Sequence, residues 1–373
     1  MSNRPHAARE QPPALFRRYP EAAGRLPRVP LATLPTPVEP LALDTPAARN
    51  GAELWIKRDD RSGEPYGGNK VRKLEFLLAH AKAGGVTRLI TAGAAGSHHA
   101  LATTVYGRAL GFDITLVLFP QPLTDHVRSV LLLDHALGAD LRWTPRMELV
   151  PLALTRARRA HRAERVHVIA PGGSDPVGTL GYVSAALELA DQVAAGEAPR
   201  PAAIHVAAGT LGTAAGLAIG CALAGLETRI HAARITSRLV TNGHALRRLI
   251  TATVRLLHRA GVPAPAPEAA LARVELRHDQ IGAGYGHPTA AARAATETFA
   301  AAGIRLDPTY TAKAAADFLA AAAREPAGPR LFWHTLSAVE PEPRGDARPE
   351  QLPEPFRRYL ERGPDRAAEP AAP

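Results

Sequence analysis

The chain has 373 residues, of which 46% are hydrophobic and 21% are charged, so it can build one large core or two smaller ones. This composition excludes a disordered chain, and the single cysteine, Cys221, excludes a disulfide framework or a cysteine-rich zinc site. The net charge of +10 is compatible with a nucleic-acid partner. We expect none, however, because the basic residues are scattered and no nucleic-acid-binding motif is present.

The two ends of the chain differ from its middle. The first residues, MSNRPHAAREQPP, contain charge and proline but no apolar segment, so we predict a flexible tail over residues 1–14 and no secretory signal. Residues 340–373 contain eight prolines, which predicts a second tail with only a short helix over 356–363. No window of about 18 apolar residues is present, so no membrane partner and a cytoplasmic location are expected.

Between the ends, short apolar runs alternate with segments of helical periodicity. The predicted strands are Thr87–Ala92, Asp113–Phe119, Val166–Ala170 and Ala203–Ala208. The predicted helices are Ser97–Leu110, Asp125–Leu137, Gly178–Ala195 and Thr213–Ala224. Short strands separated by helices of ten or more residues predict an α/β fold whose parallel sheets are flanked by helices on both faces.

The first segment with candidate chemistry is KRDDRSGEPYGGNKVRKLE (57–75), which ends in a helical pattern. Its glycine pair breaks regular structure and Asn69 is a good N-cap, so Lys70 should lie in the first helical turn and Lys73 one turn later. A helix N-terminus and a second cation both lower the pKa of an amine, which makes a lysine nucleophilic. The alternative is a pair of solvated lysines on a surface helix.

Two further segments suit an anion. Gly209–Thr213 (GTLGT) lies between a predicted strand and a predicted helix, where glycines let the backbone approach a ligand and free N–H groups are available. The alternative is a tight strand–helix turn. Ser97, His98 and His99 begin another predicted helix, where Ser97 alternatively only caps the helix. We expect no metal at the two histidines, because adjacent side chains face different directions on a helix.

Together these segments resemble the fold-type II pyridoxal-phosphate (PLP) enzymes, and among them the family of D-cysteine desulfhydrase and 1-aminocyclopropane-1-carboxylate (ACC) deaminase. The resemblance covers about residues 25 to 337. Its segments are TPVEPL (36–41), KRDD (57–60), GGNKVRKLEFL (67–77), TAGAAGSHH (91–99), PGGSDPVGTLGYVSAALELA (171–190), GTLGT (209–213), GYGHP (284–288), LDPTYTAKA (306–314) and HT (334–335). So many matches in order favour a nucleophilic Lys70 over a surface lysine.

The resemblance implies a two-domain α/β fold similar to that of the tryptophan synthase β-subunit, with PLP in the cleft between the domains. Residues 15–69 and 186–339 would form the large PLP-binding domain, and residues 70–185 a small inserted domain. A small amino acid as substrate and a homodimer are implied as well.

The resemblance also implies roles for single residues at the cofactor. Lys70 would attach PLP covalently, while Lys73 and the loop of Gly209, Thr210, Leu211, Gly212 and Thr213 would lie near its phosphate. Asn69, His98 and Thr335 would be further cofactor contacts.

On the substrate side, Ser97 would face the carboxylate. Tyr285 and Tyr310 would position the substrate and transfer a proton.

Two departures from the family pattern concern the surroundings of the PLP ring. His98 replaces an asparagine that normally hydrogen-bonds the ring oxygen, so a charge that titrates near pH ~6.5 is expected to couple to the cofactor, with much less effect from His99. The family's HTGG reads His334-Thr335-Leu336-Ser337, which adds bulk near the ring.

Three hypotheses for function follow. The first is β-elimination from a small amino acid such as D-cysteine, which gives pyruvate, ammonia and sulfide, with Lys70 as the Cα base. The second is ACC deamination to 2-oxobutyrate and ammonia. Deaminases carry Glu and Leu where this chain has Thr311 and Thr335, which favours elimination. The third is a PLP-binding protein without turnover, which the intact set of Lys70, Ser97, Tyr285 and Tyr310 disfavours.

Overall fold

In this computed structural model the described residues are 11–325, 328–340 and 347–361, and they form two sheets with helices on both faces. The strands are Val38–Pro40 (β1), Leu54–Lys57 (β2), Arg88–Ala94 (β3), Asp113–Phe119 (β4), Asp140–Trp143 (β5), Val166–Val168 (β6), Ala203–Ala208 (β7), Arg229–Arg234 (β8), Val274–Arg277 (β9) and Arg330–Trp333 (β10). The helices are Ala14–Arg18 (α1), Pro46–Arg49 (α2), Asn69–Ala83 (α3), His98–Ala109 (α4), Asp125–Ala136 (α5), Val150–Ala160 (α6), Pro176–Ala194 (α7), Gly212–Leu223 (α8), Gly243–Arg259 (α9), Pro267–Leu271 (α10), Ala290–Ala301 (α11), Thr311–Arg324 (α12) and Glu354–Glu361 (α13).

The larger sheet has the strand order β1-β2-β10-β7-β8-β9, and only β1 runs antiparallel to its neighbour. The apolar runs of β7 and β10 are buried, because α7, α8 and α9 cover one face of the sheet and α11 and α12 cover the other. This arrangement confirms the predicted parallel sheet with helices on both faces.

The smaller sheet has the order β5-β4-β3-β6, and all of its pairs are parallel. Helices α3, α4 and α5 pack on one face, and α6 packs on the other. All four strands come from residues 88–168, whereas the strands of the larger sheet come from both sides of this segment.

The division into domains stays a prediction, but two observations bear on its boundaries. Leu180 to Leu189 of α7 belong to the same apolar cluster as α8, although the first half of α7 was predicted within the inserted domain. Phe356 and Leu360 of α13 are buried against the smaller sheet, so the described part of the predicted C-terminal tail is packed on the protein. Residues 1–10, 341–346 and 362–373 of the predicted tails lie outside the described residues.

A buried ionic network connects β2, α3 and α7. Lys57 Nζ donates to Glu188 Oε1 at 2.7 Å, and Arg72 donates to both Glu188 and Asp59 at 2.8–3.1 Å. Asp59 also accepts the Trp333 indole N–H at 2.7 Å. Because each charge has several partners, the network holds α3 in a fixed position against the larger sheet.

No helix in the described parts of the chain is both long enough and apolar enough to cross a bilayer.

Candidate active site

A cavity of about 280 Å³ lies beyond the carboxyl ends of β3, β4, β7 and β10. Ligands of open α/β sheets bind at this edge, because helix N-termini and loops converge there. The structure brings every predicted site residue to the wall of this cavity: Asn69, Lys70, Lys73, Ser97, His98, Gly209, Thr210, Leu211, Gly212, Thr213, Tyr285, Tyr310 and Thr335.

Lys70 lies in the first turn of α3, as the glycine pair before it predicted. The predicted cap at Asn69 was wrong by one residue: Gly68 is the N-cap and adopts φ of 83°, while the Asn69 amide donates to Thr213 Oγ1 at 3.3 Å. Gly68 cannot be replaced easily, since a Cβ there would lie 2.7 Å from the Thr335 carbonyl oxygen. Burial lowers the pKa of Lys70 to about 8, although the Asp307 carboxylate opposes this shift.

The Gly209–Thr213 loop and Lys73 form an anion cradle. Leu211 adopts φ of 70° and α8 begins at the next residue, so the N-terminus of the helix lies at the cavity wall, where the Gly212 N–H donates to Ser174 Oγ at 3.2 Å. Lys73 Nζ donates to the Gly172 carbonyl at 3.0 Å, and burial together with Lys70 lowers the pKa of Lys73. A Cβ on Gly212 would lie 2.9 Å from Lys73 Nζ, so the space for an anion depends on this glycine.

Ser97 both caps α4 and lines the cavity. Its hydroxyl accepts the Ala100 N–H at 3.3 Å, and its side chain is packed so closely that a Cβ on Gly93 would lie 2.4 Å from Ser97 Oγ. The capping role and the anion-binding role, treated as alternatives in the sequence, are therefore compatible. The hydroxyl and the free N–H groups of the first turn present a second anion-binding position to the cavity.

His98 is half-buried, and its surroundings lower its pKa. Its Nδ1 lies 2.5 Å from the Tyr66 hydroxyl, and its ring lies 4.6 Å from that of His126. Burial, reinforced by His126, lowers the pKa of His98 to about 3. The site therefore shifts the expected titration well below pH 6.5, because the surroundings that lower this pKa are not visible in the sequence. Burial raises the pKa of Tyr66, so its hydroxyl keeps a proton that it can donate to Nδ1; Nε2 then carries the imidazole proton and is available as a donor.

His99 also lines the cavity, which the 100° separation along the helix did not predict. Its Nε2 lies 3.0 Å from Thr91 Oγ1, and its buried Nδ1 has no hydrogen-bond partner among the described residues. Both histidines reach the cavity because the cavity wraps around the N-terminus of α4.

Tyr285 and Tyr310 form a hydroxyl pair whose oxygens are 2.5 Å apart. Burial raises the pKa of Tyr285 to about 12 and also raises that of Tyr310, so both phenols stay protonated. Two protonated phenols in contact can hold and relay a proton at the cavity wall.

Asp307 lies in the LDPTYTAKA segment, but no role was predicted for it from the sequence. Its carboxylate accepts the backbone N–H groups of Thr309, Tyr310 and Thr311 at 2.6–3.0 Å, and so fixes the start of α12 and the position of Tyr310. Burial opposes ionisation, but the hydrogen bonds from Thr311 and Tyr310 lower the pKa of Asp307, so this residue places a negative charge near Lys70. An aspartate just before a helix was the available signal.

Thr311 and Thr335, the two positions that distinguish desulfhydrases from deaminases, differ in whether they line the cavity. Thr335 lines the cavity, but the Thr311 hydroxyl donates to Asp307 at 2.7 Å and Thr311 does not line it. Leu336 lines the cavity, whereas Ser337 accepts the Gly67 N–H at 3.0 Å and supports the turn before α3. Of the two glycine replacements, only Leu336 therefore adds bulk to the cavity wall.

Comparison with known proteins agrees with this geometry. The family model for the pyridoxal-phosphate dependent enzymes matches residues 29–335. The chain belongs to this family. It is 39% identical over 326 residues to a nocardicin C-9' epimerase from Nocardia uniformis subsp. tsuyamanensis, with 85% of this chain and 94% of that protein covered.

Two further similar proteins are named for other activities. A D-cysteine desulfhydrase from Klebsiella pneumoniae subsp. pneumoniae is 35% identical, with 84% of this chain and 95% of the relative covered. The crystal structure of an ACC deaminase homologue has a TM-score of 0.73 at 32% identity and covers 89% of this chain and 97% of its own. The cofactor is PLP and the fold is fold type II, as the resemblance implied.

The residues present fit PLP. The phosphate matches the cradle of Gly209–Thr213 and Lys73, where a Cβ on Gly212 would fill the space. The Lys70 amine, half-buried at the cavity wall, suits the aldehyde, because its lowered pKa leaves part of it uncharged near pH 8.

Proposed function

We propose that this PLP enzyme catalyses β-elimination from an amino acid such as D-cysteine, giving pyruvate, ammonia and sulfide. The observation that carries the proposal is that Lys70, Ser97 and the Tyr285–Tyr310 pair line one buried cavity beside an anion cradle. A relative named D-cysteine desulfhydrase, 35% identical, supports the same chemistry.

Residues around the cavity would hold the cofactor at both ends. Lys73 and the Gly209–Thr213 loop would bind the phosphate, and Lys70 would attach the cofactor. Asn69, His98 and Thr335 would surround the ring, with His98 as a neutral donor. When bound, PLP supplies an electron sink for the negative charge that develops at the substrate Cα.

The chain's own groups would bind the substrate and move its protons. Ser97 and the first N–H groups of α4 would hold the carboxylate, which fixes the orientation of Cα. The Lys70 amine would accept the Cα proton, because a pKa of about 8 suits a base near neutral pH. The Cα–H and Cβ–S bonds break, sulfide leaves, and one water is consumed as pyruvate and ammonia form.

A second candidate is inversion at Cα. Inversion needs one group to remove the proton and another to return it from the other face, and the cavity contains both the Lys70 amine and the protonated tyrosine pair. The relative at 39% identity is named an epimerase, which favours this candidate. ACC deamination has weaker support, because Thr335 lines the cavity at the position where the deaminases carry leucine.

One experiment separates these candidates. The PLP-loaded protein is incubated in D₂O with D-cysteine, L-cysteine, D-serine and ACC, and pyruvate, 2-oxobutyrate, sulfide and deuterium at Cα are measured. Elimination predicts pyruvate and sulfide from cysteine, whereas inversion predicts deuterated amino acid of both hands without pyruvate. Formation of 2-oxobutyrate alone would contradict both.

Lys70→Arg is the matched control for this experiment. Arginine keeps a positive charge but cannot form the covalent attachment, so every product should disappear. Borohydride reduction of the parent protein followed by peptide mapping should place the label on Lys70. A label on Lys57, Lys73 or Lys82 would show that the assignment is wrong.

The homodimer also stays a proposal, implied by the resemblance. Light scattering of the purified protein would test it, with a mass near that of one chain as the contradicting result.

A further inference from the structure

Two histidines and an aspartate form a buried cluster between the larger sheet and α12. His205 of β7, His231 of β8 and Asp317 of α12 are 0%, 5% and 2% exposed. One ring nitrogen of each histidine and one carboxylate oxygen of Asp317 lie within 4.8 Å of one another. We name these three residues the His–His–Asp cluster. None of the three lines the active-site cavity, so the cluster is a separate feature of the molecule.

The strand register brings these side chains together. His205 is paired with His231 across two neighbouring parallel strands, so both side chains lie on the same face of the sheet, with ring centroids 4.6 Å apart. Helix α12 packs on that face and places Asp317 Oδ2 at 2.9 Å from His205 Nδ1. His231 is paired in turn with Glu275 of the edge strand β9, whose carboxylate lies 3.5 Å from His231 Nε2 and whose side chain is 45% exposed. The cluster is therefore buried, but only one side chain separates it from solvent.

Each ring of the cluster has a nitrogen that no neighbouring group uses. His205 Nε2 and His231 Nδ1 are buried, and neither has a hydrogen-bond partner among the residues that the structure describes. Buried polar atoms are nearly always paired, so two unpaired nitrogens in one cluster call for a ligand. A neutral imidazole always keeps one nitrogen lone pair, which is the group that a metal ion binds.

The charges of the cluster suit a divalent cation. Burial lowers the pKa of both histidines, that of His231 to about 4, which favours the neutral rings that metals bind. Burial opposes ionisation of Asp317, but the hydrogen bond from His205 and the charge of Arg277 lower its pKa, so the carboxylate is charged. Two cations lie nearby, Arg277 and Arg330, but each is already paired with a carboxylate. The cluster thus offers two neutral donors and one anionic donor.

We propose that His205, His231 and Asp317 bind one divalent transition-metal ion of the zinc class. Imidazole and carboxylate are ligands that Zn²⁺ accepts, and three protein ligands with a water as the fourth are a common zinc coordination. Arg277 donates to the other carboxylate oxygen of Asp317 at 3.2 Å, as the groups around metal ligands commonly do. The ion would join β7, β8 and α12 and stabilise the folded protein, whichever reaction the cavity catalyses.

Metal titration of the PLP-loaded protein is the first test. The untagged protein is freed of metal on a chelating resin and titrated with Zn²⁺ by calorimetry and with Co²⁺ by visible absorption. We expect one ion per chain with a Kd of about 10 μM or lower. At about 100 times that Kd, Zn²⁺ should raise the Tm by at least about 2 °C. A protein that binds neither ion up to about 1 mM would overturn the inference.

Hydrogen exchange locates the ion in the parent protein without any substitution. Mass spectrometry of peptides, with and without Zn²⁺, should show slower exchange in the segments that contain β7, β8 and α12, because the ion joins these three elements. Protection confined to other segments, such as the loops around the active-site cavity, would place the ion at the cofactor and overturn the inference.

Substitution of single histidines completes the test. His231→Gln and His205→Gln should each weaken Co²⁺ binding at least about 100-fold, since each removes a ligand, and PLP absorption checks that the variants fold. His161→Gln is the matched control, because this histidine also lies beside carboxylates, at 2.9 Å from Glu164 and 3.3 Å from Asp140, but has no second histidine. The control should bind Co²⁺ as the parent does. If the two cluster variants bind Co²⁺ with unchanged affinity, the ion lies elsewhere and the inference is wrong.

Discussion

At the scale of single residues, burial decides the protonation of the site. The predicted site residues line one cavity. Lys70 and Ser97 could be placed from the sequence because each lies at the start of a helix, directly after a glycine-rich turn. The sequence could not predict the state of His98 or the use of Asp307, because their environments come from α5, α12 and the Tyr66 segment, far away in sequence. Local patterns do not report tertiary burial.

His98 leads to a prediction about the cofactor's absorption. Because burial lowers its pKa to about 3, His98 stays neutral above about pH 4 and adds no titration near pH 6.5. His98→Asn should therefore leave the midpoint of the absorption–pH curve of the PLP-loaded protein unchanged, since one neutral donor replaces another. A midpoint shift of a full pH unit in this variant would show that His98 carries a charge that titrates in this range.

Asp134, buried in α5, leads to a prediction about stability. Burial raises its pKa to about 7, so the folded protein retains a proton that the unfolded chain loses near pH 4. The stabilisation from this proton is complete below pH 4 and is lost as the pH rises to 7, by up to about 4 kcal/mol in the free energy of unfolding. Asp134→Asn should flatten this decline in urea unfolding measured from pH 4 to 8. An unchanged slope would show that Asp134 ionises normally.

At the scale of helices and strands, the local sequence predicted several of the observed bounds. The predicted strands Asp113–Phe119 and Ala203–Ala208 match the observed bounds, and the helices at 125 and 213 begin within one residue of the structure. Buried parallel strands are readable because their apolar runs are continuous and end at glycine or a capping residue. The packed helix α13 was underestimated, because a proline-rich context hides its apolar face of Phe356 and Leu360.

The start of α8 gives a prediction at this scale. Gly212→Ala should weaken PLP binding about 10-fold or more, because the added Cβ would lie 2.6 Å from Ser174 Oγ and 2.9 Å from Lys73 Nζ in the anion cradle. Gly243→Ala, at the start of α9 with nothing within 4 Å, is the matched control. PLP titration followed by absorbance measures both. If both variants bound PLP with equal affinity, the anion cradle would not be the phosphate-binding site.

At the scale of the whole molecule, the buried ionic network ties the lysine-bearing helix α3 to the larger sheet. Glu188→Gln should lower the free energy of unfolding by about 3–5 kcal/mol, because it removes the carboxylate that pairs with the buried amine of Lys57 and leaves Arg72 with Asp59 as its remaining ion-pair partner. Asp191→Asn is the control on the same helix, since its ion pairs with Arg17 and Arg18 are partly exposed and should contribute under about 1 kcal/mol. If urea unfolding showed similar losses of unfolding free energy for both variants, the buried network would not stabilise the protein more than an exposed ion pair does.

The network could not be read from the sequence. Lys57 and Glu188 are separated by 131 positions, and the residues next to each in sequence do not indicate that the two side chains form an ion pair. Only the packing of α7 across α3 and β2 brings them together. Long-range pairing of this kind depends on the complete fold.

The distribution of lysines gives the folded protein an unusual reactivity toward amine reagents. The chain has five lysines, and Lys57, Lys73 and Lys313 are buried, while Lys70 is half-buried in the cavity. Lys82, at the end of α3, is the one exposed lysine. An activated ester should therefore modify Lys82 first among the lysine side chains, and bound PLP should shield Lys70. A dye or a solid support could thus be attached to the enzyme at one defined side chain, with Lys70 inside the PLP-filled cavity left unmodified.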